Sequence, residues 1–443
     1  MIRRWLTRGF WAILDQGLFA TSNFAVSVLL ARWLSANGYG AFSVGFAIFI
    51  LVGVVHTAIL SEPMLVFGSG KYKDRLPDYL STLVYGHLGF AALGSLVLAI
   101  TSAGFALFGS GSLSGVLLAL AITEPFILFL WLMRRACYAR LEPHLAASGG
   151  AIYMLLMLGG AYVLYERGWL SAESVFGVMG ISSLVVGLWL AMRLGLKRMP
   201  LRGNDLARGS LENHWAYGRW SIANEALNWV PMNIYYLMLP LWGGLAAGAY
   251  LKALMNLIMP MSQAIWALSI LLLPVLVRAR GEDRAGTGHA RFNSRVRLAL
   301  IPFVLGPFLY WLLLGLFNYP LVSWLYDGRY TEHAALLWIL GLSPVVASVK
   351  QVMGQSLRAL ERPDRLFWAY MLSATVTLTF GTGLVWIWGV VGAAIGFLVS
   401  QGITAALALV LLRRLESSQR QATMEPPTSA SALATRAPEA RKT

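Results

Sequence analysis

The chain has 443 residues, of which 58% are apolar and 12% are charged, and its mean hydropathy is +0.64. Soluble domains carry about 25% charged residues, so this composition excludes a soluble globular protein and predicts an integral membrane protein. The formal net charge of +15 would suit a nucleic-acid-binding protein, but the positions of the basic residues give a different explanation.

Twelve apolar spans are predicted, each long enough to cross a bilayer as a helix. The first ends at Arg32 and Trp33 without a small-residue cleavage site, so it is expected to be a retained helix and not a signal peptide. The single cysteine, Cys137, excludes an intramolecular disulfide. In chain order, the spans cover residues 10–34, 39–61, 79–105, 113–133, 144–165, 173–194, 217–241, 245–277, 297–318, 333–357, 364–387 and 390–412.

The basic residues fall almost entirely on one side of this arrangement. If the N-terminus is cytoplasmic, all but five of the 35 Lys and Arg residues lie in cytoplasmic segments. The exceptions are Arg32, Arg167 and Arg329 on the other side, and Lys252 and Lys350 inside spans. The positive-inside rule therefore explains the positive charge as topology, with both termini cytoplasmic and no nucleic acid as partner. We call the predicted cytoplasmic side the basic face.

The loops are too short for a further domain. The predicted non-cytoplasmic loops include "SANG", "WGG" and "IWG", and no cytoplasmic loop reaches the roughly 50 residues of a folding unit. The segment "GSGKYKD" at Gly68 resembles a phosphate loop, but it lacks the upstream glycine and a Ser or Thr after Lys71, so no ATP site is predicted. Residues 414–443, rich in Ala, Pro, Ser and Thr, are predicted to be a disordered cytoplasmic tail.

An internal repeat is indicated by shifting the chain on itself by 210 residues. This shift places Asp15 on Glu225 and Asn23 on Asn233. The predicted domains are a six-helix lobe (1–195), an inter-lobe loop (196–216) and a second six-helix lobe (217–413). An even number of spans in each half keeps both halves in the same orientation. The lobes are therefore expected to be related by a pseudo-two-fold axis along the membrane normal, with a central cavity.

Polar side chains recur inside five of the predicted spans. An ionised carboxylate in hydrocarbon costs roughly 2.5 to 3.5 kcal/mol on insertion scales, so each needs a partner, a proton or a water-filled cavity. The polar residues of interest are Asp15 and Asn23 in span 1, Glu124 in span 4, Glu225 and Asn228 in span 7, Lys252 and Asn256 in span 8, and Lys350, Gln351 and Gln355 in span 10.

Two explanations of these residues stay open. They could join helices through buried ion pairs, such as Asp15 with Lys350 or Glu225 with Lys252. They could instead line a hydrated pathway, which several charges together favour because interhelical hydrogen bonds in membranes average only about 0.6 kcal/mol. His56 and His87 are expected to be core residues, in preference to a proton relay.

Several stretches resemble the Wzx-type polysaccharide flippases of the multidrug/oligosaccharidyl-lipid/polysaccharide (MOP) transporter superfamily. They include "GFWAILDQGLFATSNFAVSVLLARWLSANGYGAFSV", "LSEPMLV", "LYDGRYTEHAALL" and "GVVGAAIGF". The resemblance implies a twelve-helix transporter of two lobes in a bacterial inner membrane. It also implies transport of undecaprenyl-diphosphate-linked oligosaccharide from the cytoplasmic to the periplasmic leaflet for exopolysaccharide, O-antigen or capsule synthesis.

The resemblance also implies roles for the intramembrane polar residues. Cavity cations that bind the lipid diphosphate can be only Arg32, Lys252 and Lys350, and Asn256, Gln351 and Gln355 are the polar groups expected beside them. Acidic groups for a coupling proton or sodium ion are Asp15, Glu124 and Glu225, with the amides Asn23 and Asn228. A polysaccharide polymerase or export complex is the implied protein partner.

Two alternatives remain. A cation-coupled multidrug-type exporter of the same fold would keep Asp15 and Glu225, but its cationic substrates disfavour Lys252 and Lys350 in the cavity. A membrane polysaccharide polymerase or ligase would need a large periplasmic loop with catalytic groups, and the predicted loops are short. The sequence contains no catalytic triad and no metal-ligand spacing, so we expect neither an enzyme nor a bound metal or cofactor.

The predicted topology can be tested with reporter fusions after Leu412. Because the basic residues cluster on one side, a fusion there should report a cytoplasmic location. A periplasmic location would overturn the whole topology.

Overall fold

A computed structural model describes residues 2–108, 111–196, 205–282, 290–360 and 364–424, and within them the chain is helical apart from short turns. The helices are α1 (Ile2–Trp33), α2 (Ala36–His56), α3 (Glu62–Ser69), α4 (Leu76–Leu107), α5 (Gly111–Ala139), α6 (Pro143–Glu166), α7 (Ala172–Arg193), α8 (Asp205–Glu282), α9 (Ala290–Leu316), α10 (Asn318–Tyr326), α11 (Leu337–Leu340), α12 (Ser343–Ala359), α13 (Asp364–Val376) and α14 (Thr382–Met424).

Ten helical segments in the described ranges are long and apolar enough to cross a membrane, which confirms an all-α, multi-pass membrane protein. Two of them, Arg208–Arg280 and Arg365–Leu415, contain 73 and 51 residues. A straight helix of the longer length would measure about 110 Å, several times the roughly 30 Å hydrocarbon core. Each therefore must bend back on itself.

The bends are at two glycines. Gly244 in α8 has φ 72° and ψ 172°, and Gly389 in α14 has φ 53° and ψ −124°. Glycine adopts such backbone angles without the steric penalty that a Cβ brings. Gly244 lies between predicted spans 7 and 8, and Gly389 lies at the boundary between predicted spans 11 and 12. The number of twelve crossings and the symmetry between the lobes stay predictions.

The helices extend beyond two of the predicted boundaries. Residues 205–216 were expected in the inter-lobe loop but form the start of α8, where Arg208 and Glu212 make an i,i+4 ion pair of 3.4 Å that favours a helix. Helix α14 continues to Met424, through Arg, Leu, Glu and Gln residues of good helix propensity. The rest of the predicted tail, residues 425–443, and loop residues 197–204 lie outside the described residues.

The hydrogen-bond pattern of the second membrane segment changes in its middle. Helix α2 passes into a wider π-helical turn at Thr57–Ser61 before α3 begins, with Pro63 in its first turn. Such a turn rotates the following helix and is common at functional sites. A second π-helical turn, Thr377–Gly381, connects α13 to α14.

The two predicted lobes meet chiefly where α2 lies along α8. Gly40 of α2 is so close to α8 that a Cβ on it would overlap the carbonyl oxygen of Leu245. Towards the basic face, a Cβ on Gly218 of α8 would lie 2.9 Å from the carbonyl oxygen of Ala58. Small residues thus bring the two helix backbones into direct contact near both ends, as is usual for packing in membranes.

Gly40→Ala should destabilise the protein, because the added Cβ forces α2 away from Leu245. Overpacking of this kind costs about 1 to 3 kcal/mol, and we expect a thermal unfolding midpoint in detergent lower by several degrees. Gly17→Ala on α1 is the matched control, since nothing lies within 4 Å of its added Cβ. Equal melting of the two variants would contradict the close contact.

Candidate functional site

A small cavity lies between the lobes around Lys252. It has a volume of about 30 Å³, and its lining includes Asn23 and Ser27 of α1, Phe46 of α2 and Tyr153 of α6. A water molecule needs roughly 10 to 15 Å³ of such space, so in this conformation the cavity has room for about two waters. In this conformation the cavity is too small for a larger ligand.

The ammonium group of Lys252 is buried without a counterion. Its side chain is 9% exposed, and Nζ lies 4.6 Å from the ring centre of Phe46 and 5.5 Å from that of Tyr236. In the described part of the chain, no carboxylate lies within ion-pair distance of it, so the structural pair between Glu225 and Lys252 is not formed. Ring faces compensate a buried cation only in part. The cavity therefore presents a net positive charge.

Asn256, one helical turn after Lys252, joins the two lobes. Its Oδ1 accepts a hydrogen bond from Ser27 Oγ at 2.8 Å, and its Nδ2 donates to Tyr39 Oη at 2.9 Å. Tyr326 Oη donates to the carbonyl oxygen of Ala253 at 2.7 Å and lies 3.5 Å from the Asn256 amide. Asn256 was predicted to bind substrate, and here all the contacts that its amide makes are with the protein.

Two further bonds extend this connection towards the face opposite the basic face. Arg329 Nη1 donates to the carbonyl oxygen of Leu34 at 2.6 Å, and Tyr330 Oη donates to that of Ala31 at 3.1 Å. Burial raises the pKa of Tyr330 to about 12, so its hydroxyl keeps its proton and can donate. We call Ser27, Tyr39, Asn256, Tyr326, Arg329 and Tyr330 the outer network.

Arg32 belongs to the same end of the molecule. It faces Asp327 across 3.6 Å, and both side chains are well exposed. It therefore lines neither the Lys252 cavity nor the second cavity described below. In this conformation Arg32 joins the lobes at their outer surface, and a role in the cavity would require a rearrangement.

The polar residues predicted in span 10 lie inside the second lobe. Lys350 Nζ donates to Gln401 Oε1 at 2.8 Å, and Gln351 Nε2 donates to Ser269 Oγ at 3.2 Å. Gln355 is buried, and its Oε1 has no hydrogen-bond partner among the described residues. Because Lys350 bonds to Gln401, it is not the partner of Asp15.

Asp15 pairs within its own lobe. It is fully buried, its Oδ1 accepts a hydrogen bond from Arg134 Nη2 at 2.8 Å, and its Oδ2 accepts one from Tyr138 Oη at 2.7 Å. The proposed pairing of Asp15 with Lys350 is thus wrong. The reason is geometric, since α5 continues to Ala139 and carries Arg134 on the helix at the depth of Asp15.

A second cavity, of about 190 Å³, opens beside this ion pair. Its lining includes Asp15, Phe19, Trp131, Arg134 and Arg135. The Arg134 guanidinium lies 4.0 Å from the ring centre of Phe19, whose ring in turn contacts that of Tyr153 in the lining of the Lys252 cavity. The Phe19 and Tyr153 rings therefore separate the two cavities.

Arg134 and Arg135 were missed as site residues. Sequence reasoning ended span 4 at residue 133 and assigned both arginines to a cytoplasmic loop. A buried Asp15 carboxylate requires a cation at the same depth from the basic face, and this requirement could have identified the two arginines from the sequence.

The other acidic candidates differ from Asp15. Glu124 is fully buried, and neither carboxylate oxygen has a hydrogen-bond partner among the described residues. Glu225 is half-buried, its charged neighbours include Glu62, Lys350 and Arg358, and it forms no ion pair within 4 Å in the described part of the chain. Asn228, one turn after Glu225, is also half-buried.

The buried histidines form a pair. His56 Nε2 and His87 Nδ1 share a hydrogen bond of 3.1 Å inside the first lobe. Within the described ranges, no cluster of three or more His, Cys, Asp or Glu residues could hold a metal ion.

These features describe a multi-pass membrane protein of packed helices with basic cavities, and solved structures share its fold. Three similar structures are all of transporters, and each match covers 93% of this chain. The first is an inward-facing multidrug resistance MATE family transporter of the MOP superfamily, with a TM-score of 0.78, 14% identity and 99% of its own chain covered; the second is the lipid II flippase MurJ in an inward closed conformation, with a TM-score of 0.68, 15% identity and 88% of its chain covered. The third is a MOP superfamily transporter from Pyrococcus furiosus described as having a binding pocket of reverse polarity, with a TM-score of 0.66, 13% identity and 95% of its chain covered.

At these identities the similarity shows the fold alone, and the fold is that of the MOP superfamily transporters. No protein-family model and no curated protein sequence matches the chain. The predicted all-α membrane fold is confirmed, whereas the twelve spans, the symmetry of the two lobes and the Wzx-type branch stay predictions.

Asn256→Leu should open the outer network, because leucine keeps the shape of the side chain and removes its hydrogen bonds to Ser27 and Tyr39. Two such bonds contribute about 1 to 3 kcal/mol, enough to shift an equilibrium by fivefold or more. The measurement is labelling of a cysteine at Val26, which lines the Lys252 cavity, by an impermeant maleimide from the face opposite the basic face. Cys137 is replaced by alanine, and labelling should accelerate at least about fivefold.

Asn233→Leu on the same helix is the control, since the Asn233 amide bonds to the carbonyl oxygen of Trp229 in its own helix. If both leucine variants label at the rate of the parent, the outer network does not hold the lobes together.

Proposed function

We propose that this protein flips undecaprenyl-diphosphate-linked oligosaccharide units from the cytoplasmic to the periplasmic leaflet of a bacterial inner membrane by alternating access. The units would serve exopolysaccharide, O-antigen or capsule synthesis. The single observation that carries this proposal is the buried, unpaired ammonium of Lys252 in the cavity between the lobes. The transporter fold supports it.

The charge of Lys252 selects between substrate classes. A diphosphate headgroup loses its hydration in about 30 Å of hydrocarbon, so it needs a polar route. An ammonium group with no protein counterion compensates such an anion and repels a cation. The alternative function, export of cationic small molecules by the same fold, would place an uncompensated positive charge in the path of a positive substrate.

The chemistry of lysine also suits release. Lysine contacts phosphate as a compact point charge on a flexible stem, whereas arginine binds it in a fixed bidentate geometry. Transport requires binding that is strong enough for entry and weak enough for exit. A single lysine at the lobe boundary meets both needs.

Energy coupling by a proton or sodium ion is part of the proposal, and its site follows from the pairing of the acidic residues. Asp15 is held by Arg134 and Tyr138, so its charge is already compensated. Glu225 has no ion pair within 4 Å in the described part of the chain and lies among charged groups of both lobes, Glu62 of the first and Lys350 of the second. We therefore assign coupling to Glu225, with Asn228 beside it and Glu124 as a second site.

Lys252→Ala should abolish flipping of a lipid-linked oligosaccharide, because the cavity loses its positive charge, and Lys252→Arg should keep part of it. The assay is reconstitution in proteoliposomes with a fluorescent undecaprenyl-diphosphate oligosaccharide, at matched protein levels. We expect a loss of at least about tenfold for the alanine variant, the size of one charge-assisted contact.

Lys71→Ala, which removes an exposed lysine on the basic face, is the matched control and should flip at the parent rate. Flipping by Lys252→Ala at the parent rate would overturn the proposal. If the parent protein flips no lipid and the Lys252→Ala variant gains export of a lipophilic cation, the exporter function is favoured instead.

A further inference from the structure

The second cavity contains more positive than negative charge. Of its lining residues, Arg134 and Arg135 are basic and Asp15 is acidic, so the lining holds one positive charge that has no ion-pair partner in it. Glu62, the other carboxylate near Arg135, does not line the cavity and forms no ion pair with Arg135 within 4 Å among the described residues, so it compensates this charge only from a distance. An excess of positive charge in a membrane interior is costly unless an anion or water compensates it.

Arg135 has no fixed partner. Within the described chain no carboxylate lies within 4 Å of its guanidinium and no hydrogen bond to it is found. Its side chain is exposed and lines the cavity. A guanidinium in this situation offers its five N–H donors to whatever enters.

The unsatisfied hydrogen-bonding capacity of Arg134 also points to a ligand. It is 9% exposed and binds Asp15 through Nη2, but its Nε is buried and has no partner among the described residues. An unsatisfied buried donor carries a desolvation penalty, and an anion that reached this guanidinium would remove it. The ring of Phe19 holds the guanidinium plane on one side.

Asp15 keeps this arginine in place. Its two oxygens are occupied by Arg134 and Tyr138, and Gly150 of α6 lies so close that a Cβ there would be 3.2 Å from Oδ1. The carboxylate thus holds the position that a second anion would otherwise take on Arg134. Through this contact it also orients the guanidinium before any ligand binds.

The depth of the cavity indicates which anion it would take. Asp15 is six residues into the first membrane segment, Gly9–Trp33, which corresponds to a depth of about 9 Å from the basic face. The whole segment spans about 37 Å, so this depth is about 5 Å inside the edge of the roughly 30 Å hydrocarbon core and within about 10 Å of the level of the lipid phosphates. A volume of about 190 Å³ suits a phosphate or diphosphate, with the attached sugar and lipid outside it.

We propose that Arg134 and Arg135 form a phosphate-binding site for an isoprenyl diphosphate at the basic face, in which Asp15 is a built-in competing anion. Arg135 makes the first contact with the ligand, and Arg134 adds a second when Asp15 partly releases it. The lipid source of the phosphate rests on the proposed function, whereas the site itself is tested by binding and not by transport.

The experiment measures equilibrium binding of radiolabelled farnesyl diphosphate to the full-length protein in phosphatidylcholine nanodiscs. Arg135→Ala should weaken binding by about tenfold or more, and Arg135→Lys should retain part of it, because one charge-assisted contact is lost or reduced. Arg193→Ala, an exposed arginine that lies over Trp189 on α7, should bind as the parent does.

Asp15→Asn is the decisive variant. Asparagine keeps the size and a hydrogen-bond acceptor but removes the charge that competes with the ligand, so binding should tighten by roughly three- to tenfold. A purely structural role for Asp15 predicts unchanged or weaker binding. Monodisperse elution of the variant and a melting temperature close to the parent's establish that it is folded.

Two controls on the ligand identify the source of the phosphate. Farnesol, which lacks the diphosphate, should not compete, and inorganic diphosphate should compete more than tenfold less well than the lipid. If inorganic diphosphate competes as well as farnesyl diphosphate, the lipid source is overturned. If Arg135→Ala and Asp15→Asn both bind as the parent does, the site is overturned, whether or not the protein flips lipid-linked sugars.

Discussion

Much of this structure depends on the need to compensate charges buried in the membrane, and the ion pair between Asp15 and Arg134 meets that need. A carboxylate inside a membrane protein needs a cation at hydrogen-bond distance, and the cation needs a helix long enough to bring it to that depth. Helix α5 meets this need by continuing past its apolar segment, and Gly150 of α6 lets the carboxylate sit against a neighbouring backbone. The same constraint explains why Lys252, which has no carboxylate within ion-pair distance among the described residues, lies against two aromatic rings.

The distribution of polar contacts gives the two ends of the molecule different properties. Towards the outer surface, amide and phenol groups bond the lobes directly to each other, mostly through neutral hydrogen bonds. Towards the basic face, a cavity remains open beside charged groups. Neutral hydrogen bonds are each worth about 1 kcal/mol net, so a closure built from a handful of them can be reversed by the binding energy of one charged headgroup.

Much of the fold could be predicted from the sequence, because long apolar segments and clustered basic loops reflect the bilayer directly. The same reasoning found Lys252 as a buried cation. It failed for Arg134 and Arg135, since a hydropathy window ends at the first charge and cannot show whether a helix continues into a neighbouring cavity. It also gave Asp15 the wrong partner, because composition and helical periodicity do not show which helices are adjacent. Contacts such as that between Ser27 and Asn256, 229 positions apart, depend on tertiary packing alone.

The glycine turns at Gly244 and Gly389 leave little chain projecting at the face opposite the basic face. Each reverses the chain with a single non-helical residue, so neither presents a loop. A stable protein interface uses about 20 to 30 residues on each side, and these turns supply almost none. Any protein that docks on that face must contact helix ends and the segment around Asp327. These turns therefore offer little surface for assembly with other components.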